Sequence, residues 1–108
     1  MTVNELTAKY ALTPVTVTDG GREVAGGYCG DLLSWVMGRA QPDNVWITIM
    51  SNVNVVAVAS LSDVSAVILA EGVTLDQSVI DTACAKGVNI LSSDKGAFEI
   101  AAMIAPDV

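Results

Sequence analysis

From residue 45 onward the chain alternates short apolar runs with stretches of helical period. Residues 45–49, 66–70 and 88–91 are uncharged and rich in aliphatic side chains, as strands covered on both faces are. Each is followed by a segment able to form a helix. Strand, helix, strand, helix, strand, helix implies a parallel sheet joined by right-handed crossovers. That rhythm leaves little room for other fold classes.

The ambiguous stretch is VWITIMSNVNVVAVASL, residues 45–61. Its valine content suits a hairpin turning at Ser51-Asn52, whereas Val53, Val56, Ala57 and Leu61 share a helical face. Periodicity alone does not choose. A hairpin would leave the next crossover without its helix, and Ser-Asn is a weaker hairpin turn than Asn-Gly. The βα rhythm therefore favours a helix over 53–59, with Ser51 and Asn52 at its start.

Local signals define the other elements. Thr2 and Glu5 have capping-box spacing ahead of Val3, Leu6 and Tyr10, which predicts a short first helix. TPVTVTDGG reads as a strand and turn, and REVAGGYCGD as a glycine-rich extended segment. In DLLSWVMGRA, residues Leu32, Leu33, Val36, Met37 and Ala40 share a helical face, and Asp31 is placed to cap it. Thr74 and Gln77 suggest a second capping box before Val79, Ile80, Ala83 and Cys84, and Gly87 stands where a left-handed C-cap belongs. The last helix starts among the capping residues of SSDKG, presents Ala97, Ile100, Ala101 and Ile104, and stops before Pro106.

A chain of 108 residues with 52% hydrophobic and 16% charged residues can bury one core. A single α/β domain spanning 1–108, with a mainly parallel sheet flanked by helices, is expected. The formal charge of -7, with five scattered basic residues, disfavours nucleic acid and anionic membrane surfaces. Neither a signal peptide nor a membrane span is evident, which places the expected location in the cytoplasm. Cys29 and Cys84 lie in apolar sequence and are expected as buried free thiols. Trp35 and Trp46 are expected in core or dimer packing, and the high apolar content suggests self-association.

Catalysis finds no support. Histidine is absent, so neither Ser-His nor Cys-His pairs can form. Asp31, Glu71 and Asp94 have no spacing that pairs them, and no metal site or cofactor is expected. The glycine cluster GGREVAGGYCGD matches neither a phosphate loop nor a dinucleotide fingerprint. Its glycines suit turns and close backbone approach, with a backbone-lined ligand site at Gly26, Gly27 and Tyr28 as the alternative. Parallel sheets bind ligands at the carboxyl ends of their strands. The loops there contain Met50-Ser51-Asn52, Glu71-Gly72-Val73-Thr74 and Ser92-Ser93-Asp94-Lys95-Gly96, so Ser51, Asn52, Thr74, Ser93 and Lys95 are the candidate ligand contacts. The same residue types are also ordinary helix caps.

GGYCGDLLS, DNVWIT and GVNILSSDKGAFEIA carry a resemblance that extends over residues 14–104. The chain resembles the DRTGG domain, particularly its small stand-alone members in anaerobic bacteria. The literal string is absent, and Arg22-Glu23-Val24-Ala25-Gly26-Gly27 is its nearest counterpart. The resemblance implies an α/β fold similar to the N-terminal domain of HPr kinase/phosphorylase, usually a dimer. It implies a non-catalytic regulatory or ligand-sensing role, as in pyrophosphatases whose regulatory modules respond to adenine nucleotides. The expected partners are a second copy and an adenine nucleotide or similar small anion. The alternative is an accessory subunit docking on an anaerobic redox enzyme of the hydrogenase setting.

Overall fold

The computed structural model describes residues 1–108. Its elements in chain order are α1 (Val3–Lys9), β1 (Thr13–Thr16), β2 (Gly27–Cys29), α2 (Leu33–Arg39), β3 (Val45–Thr48), α3 (Asn54–Ser62), β4 (Ala66–Leu69), α4 (Gln77–Lys86), β5 (Ile90–Ser92) and α5 (Ala97–Ile104). A short 3-10 turn, Ala105–Asp107, follows α5. The five strands form one sheet in the order β1-β5-β4-β3-β2. Strands β2 to β5 run parallel, and β1 closes the far edge antiparallel to β5.

Alternation along the strands divides the interior into two layers. Trp46, Val67, Leu69 and Ile90 face one way, toward Val36 of α2, Val55, Val56 and Ala59 of α3, and Val79 and Ala83 of α4. Val45, Ile47, Ala66, Ile68 and Leu91 face the other way, toward Val3 and Leu6 of α1 and Ile100 and Ile104 of α5. This explains the nearly continuous apolar strands, because both faces of β3 and β4 are covered. Trp46 is fully buried, and its indole Nε1 donates to the Gly30 carbonyl at 2.8 Å.

The ambiguous segment resolves as helix, running from Asn54 to Ser62 with Val53 rather than Ser51 or Asn52 as its N-cap. Asn52 Oδ1 accepts from the Asn54 amide at 2.9 Å, and α3 ends at Asp63 in left-handed backbone. The Thr2–Glu5 capping box forms with both of its hydrogen bonds. Gly87, at φ 70°, supplies the left-handed end of α4, a conformation that glycine adopts without steric cost.

Several local expectations differ from the structure. Asp31 does not cap α2, whose N-cap is Leu32 without a side-chain bond. Its carboxylate instead holds the end of β3. Thr74 and Gln77 form no capping box, because α4 starts at Gln77 after the extended Asp76. Val73 and Leu75 pack onto the core at alternate positions, which keeps residues 73–76 extended and outside the helix. On α2, Val36 and Ala40 are buried but Leu32 and Met37 are more than half exposed. A seven-residue helix beside the edge strand β2 covers only part of that apolar face.

Both cysteines are exposed rather than buried. Cys29 lies on edge strand β2, and Cys84 points away from the sheet on the outer side of α4. Trp35 is not core: its ring is half exposed and lies beneath the Arg39 guanidinium, 3.8 Å from the ring centre. No helix is long and apolar enough to cross a membrane.

Candidate functional site

Because β2 to β5 are parallel, the loops after β3, β4 and β5 all emerge at one edge of the sheet. Ser51 and Asn52 follow β3, Thr74 follows β4, and Ser93 and Lys95 follow β5. The five candidate contacts therefore converge on the carboxyl edge. After β4 the chain enters α4 on one face, and after β5 it enters α5 on the other. Such a parting of helices between neighbouring strands is where open parallel sheets form their binding crevices.

The crevice is partly closed by its own main chain. The Glu71 amide donates to the Lys95 carbonyl and the Gly72 amide to the Ser93 carbonyl, both at 2.9 Å. Ser93 Oγ accepts from the Lys95 amide at 3.1 Å. Glu71 and Gly72 sit in successive left-handed conformations, φ 62° and 69°. This tight turn brings the Glu71 carboxylate over Gly96 at the start of α5, where an added Cβ would stand 2.9 Å from Oε1. The α5 amino end thus already has an anion beside it.

The remaining groups divide into two sets. Ser93 and Lys95 line a 280 Å³ polar cleft with Ala11, Thr13, Ser92 and Asp94, between the start of β1 and the end of β5. Ser51 and Asn52 lie at the head of α3, with Asn52 occupied by its own helix through Asn54 and Val55. Thr74 is exposed between the two sets. Thr13 and Ser92 were not singled out from sequence, because nothing local shows that an antiparallel β1 will bring residue 13 opposite Ser92.

Asp31 adds a further fixed group. It accepts from the Thr48 hydroxyl at 2.8 Å and the Ile49 amide at 3.0 Å, and Thr48 Oγ1 accepts in turn from the Met50 amide at 3.2 Å. Ile49 and Val53 after β3, and Phe98 in the first turn of α5 after β5, are exposed on the same edge. The edge therefore combines hydroxyls, one ammonium, three carboxylates and an apolar rim. Such a surface can read hydrogen-bonding groups, but it concentrates no positive charge. No cluster of three or more His, Cys, Asp or Glu side chains is placed to hold a metal ion.

The alternative site at Gly26, Gly27 and Tyr28 also has a physical counterpart. These residues border a cavity of 320 Å³ between β2 and α5. Gly27 is packed closely against β3, where an added Cβ would lie 3.3 Å from both the Val45 carbonyl oxygen and its Cγ1. The Cys29 thiol beside the cavity titrates above the ordinary thiol range, first because neighbouring chain partly shields it from water although the residue as a whole is exposed, and then because of the Asp31 charge.

Residues 29–106 match the family model of the DRTGG domain. The chain belongs to the DRTGG domain family. No curated protein matches it. Among solved structures, this DRTGG chain is similar to the CBS and DRTGG domains of the regulatory region of Clostridium perfringens pyrophosphatase, solved with the activator diadenosine tetraphosphate. The TM-score is 0.72 at 13% identity, over 95% of this chain and 45% of the other. The likeness shows a shared DRTGG fold, and this chain spans less than half of the pyrophosphatase region.

Proposed function

We propose that the whole chain acts as one non-catalytic regulatory domain, a homodimer that binds a small anionic ligand such as an adenine nucleotide at the carboxyl edge of its sheet. The observation that carries this reading is that Ser51, Asn52, Thr74, Ser93 and Lys95 stand on the three loops that leave the carboxyl ends of the parallel strands β3, β4 and β5. The DRTGG domain of the pyrophosphatase relative, part of a regulatory region bound to a nucleotide activator, supports it. With Asp31, Glu71 and Asp94 nearby, recognition would rest on hydrogen bonds to ribose and base, and Lys95 would meet the phosphate. The apolar rim of Ile49, Val53 and Phe98 would be covered by the second copy. Ligand would act by favouring one packing of the two copies over another. A cytoplasmic setting fits this role.

The test is thermal unfolding with AMP, ADP, ATP and diadenosine tetraphosphate. A ligand present at one hundred times its Kd adds about 2.7 kcal/mol of stability. Ser93→Ala and Lys95→Met should each weaken the response. A flat melting temperature across the panel would refute nucleotide sensing.

A second reading is favoured by exposed Leu32, Trp35, Met37 and Leu61 on the α2 and α3 side. Such a surface would suit docking onto an anaerobic redox enzyme. Copurification that survives mutation of the carboxyl edge but not Trp35→Ala would select it.

A further inference from the structure

The free edge of the sheet at β2 differs from the opposite edge. At β1, Pro14 and an irregular register interrupt the outer strand, two features that blunt a sheet edge. Strand β2 carries neither proline nor charge. The Gly26 carbonyl accepts from the Val45 amide, and the Gly30 amide donates to the Ile47 carbonyl, so the even-numbered residues bond to β3. In a parallel ladder the intervening residues direct their amides and carbonyls the other way, in the plane of the sheet. Those of Gly27 and Cys29 therefore lack partners, because no strand lies beyond β2.

One antiparallel register lets a second β2 use all of these groups. Opposed residues that exchange both main-chain bonds must each face the other strand, so Gly27 stands opposite Cys29 of the second copy, and Cys29 opposite its Gly27. The two-fold axis then passes at Tyr28. Setting Gly27 against Gly27 would oppose Cys29 to Ala25, whose amide already donates to the Asp43 carbonyl. Setting Cys29 against Cys29 would oppose Gly27 to Asp31, beyond the strand. In the matching register each cysteine meets a glycine, and the two Tyr28 side chains form a close cross-strand pair on the α2 face.

Charge and apolar surface favour a second copy over an unrelated strand. From Val24 to Gly38 the one charged residue is Asp31, whose carboxylate is engaged by the Thr48 hydroxyl and the Ile49 amide. In a chain of formal charge -7, two copies repel least across such a surface. Both layers beside the edge are also apolar. Leu32, Trp35 and Met37 of α2 are more than half exposed, and Ala101, Ile104 and Val108 line the 320 Å³ cavity between β2 and α5. A lone peptide would gain only the main-chain bonds, whereas a second copy brings its own α2 and α5 as well.

We infer that β2 is an interface with a second copy of this chain, paired antiparallel through Gly27 and Cys29 so that two five-stranded sheets join into one. This contact rests on the homodimer reading for its second copy, but it uses neither the ligand loops nor the rim of Ile49, Val53 and Phe98.

Pairing about Tyr28 sets the two Cys29 residues diagonally on one face, about 7 to 8 Å apart. Dibromobimane, which bridges two neighbouring thiols and fluoresces once both ends have reacted, should therefore join the copies. Cys84→Ser should leave this covalent dimer intact, and Cys29→Ser should remove it. In sedimentation equilibrium Cys29→Ser should dimerise like the parent chain. Cys29→Pro deletes an outward amide from each copy, and Cys29→Lys brings two ammonium groups together at the axis; each should raise the dimer Kd by about tenfold or more. The Cys29 amide has no partner within the chain, so proline breaks no internal bond, and circular dichroism confirms the fold. A chain that stays monomeric would overturn both this interface and the homodimer reading. A dimer that tolerates Cys29→Pro and Cys29→Lys but dissociates on Phe98→Ser would overturn this interface alone. So would bridging through Cys84 in place of Cys29.

Discussion

The carboxylate of Asp31, at the end of β2, receives the Thr48 hydroxyl at 2.8 Å and thereby fixes the end of β3. Thr48 is almost wholly buried, so without Asp31 its hydroxyl would have to find another partner. Asp31→Ala should destabilise the domain by about 1 to 2 kcal/mol, since two hydrogen bonds to a charged acceptor are lost at a partly solvated site. Asp31→Asn, which keeps an acceptor oxygen, should cost less. Urea unfolding of the two variants checks the order, and equal losses would argue against this role.

A larger effect is expected at Asn89, which is 3% exposed. Its Oδ1 accepts from the amides of Thr18 and Asp19, and its Nδ2 donates to the carbonyls of Asp19 and Ser65. One side chain thus joins the segment after β1 to the start of β4. Asn89→Ala would leave several buried backbone groups unpaired, at a cost of about 3 to 4 kcal/mol. A loss below 1 kcal/mol in chemical unfolding would mean that water replaces the amide readily.

Stability should depend on pH through the contact between α1 and the C-terminal turn. Hydrogen bonds from Lys9 and Tyr10 lower the Asp107 carboxyl, while their bonds to Asp107 raise Lys9 and Tyr10. The Asp107 contribution is present above its unfolded-state value and is lost as pH falls through the lower folded one. Those of Lys9 and Tyr10 are present below their unfolded-state values and are lost as pH rises through the higher folded ones. A plateau between roughly pH 4 and pH 10 should result. Because all three groups face solvent, added salt should flatten both shoulders. Asp107→Asn should weaken the acid shoulder in melting temperatures measured across pH.

Gly87 offers a backbone test. Its φ of 70° and the bonds from its amide and that of Val88 to Cys84 and Ala83 close α4. Gly87→Ala should cost about 1 kcal/mol from left-handed strain, with space available for the methyl group. A neutral result by thermal unfolding would show that the end of α4 rearranges freely.

Sequence patterns located the Gly87 cap and the Thr2–Glu5 box because local geometry largely determines those features, whereas α3 was legible only through the βα rhythm around it. The βα rhythm also placed Ser51, Thr74 and Ser93 on one edge, since parallel strands all point the same way. What escaped depended on distant partners. Asp31 resembles a helix cap until Thr48 lies beside it, and Asn89 looks like an interruption in an apolar run until Thr18 and Asp19 return to it. Cys29 reads as a core residue because its neighbours are apolar, but edge position depends on strand order. The Glu71 turn was equally hidden, since left-handed backbone at a glutamate has no local signature.

The Asn89 bonds bear on where the folding unit begins. The family match starts at residue 29, yet Asn89 draws its partners from Thr18 and Asp19, and α1 supplies Val3 and Leu6 to the layer beneath α5. A fragment starting at Cys29 would keep the recognisable sequence but lose the closing strand, three of the four Asn89 side-chain hydrogen bonds and much of one hydrophobic layer. It should be poorly soluble or only partly folded, even though it spans the family match. The packing contacts thus begin well before the matched segment, at Val3 of α1.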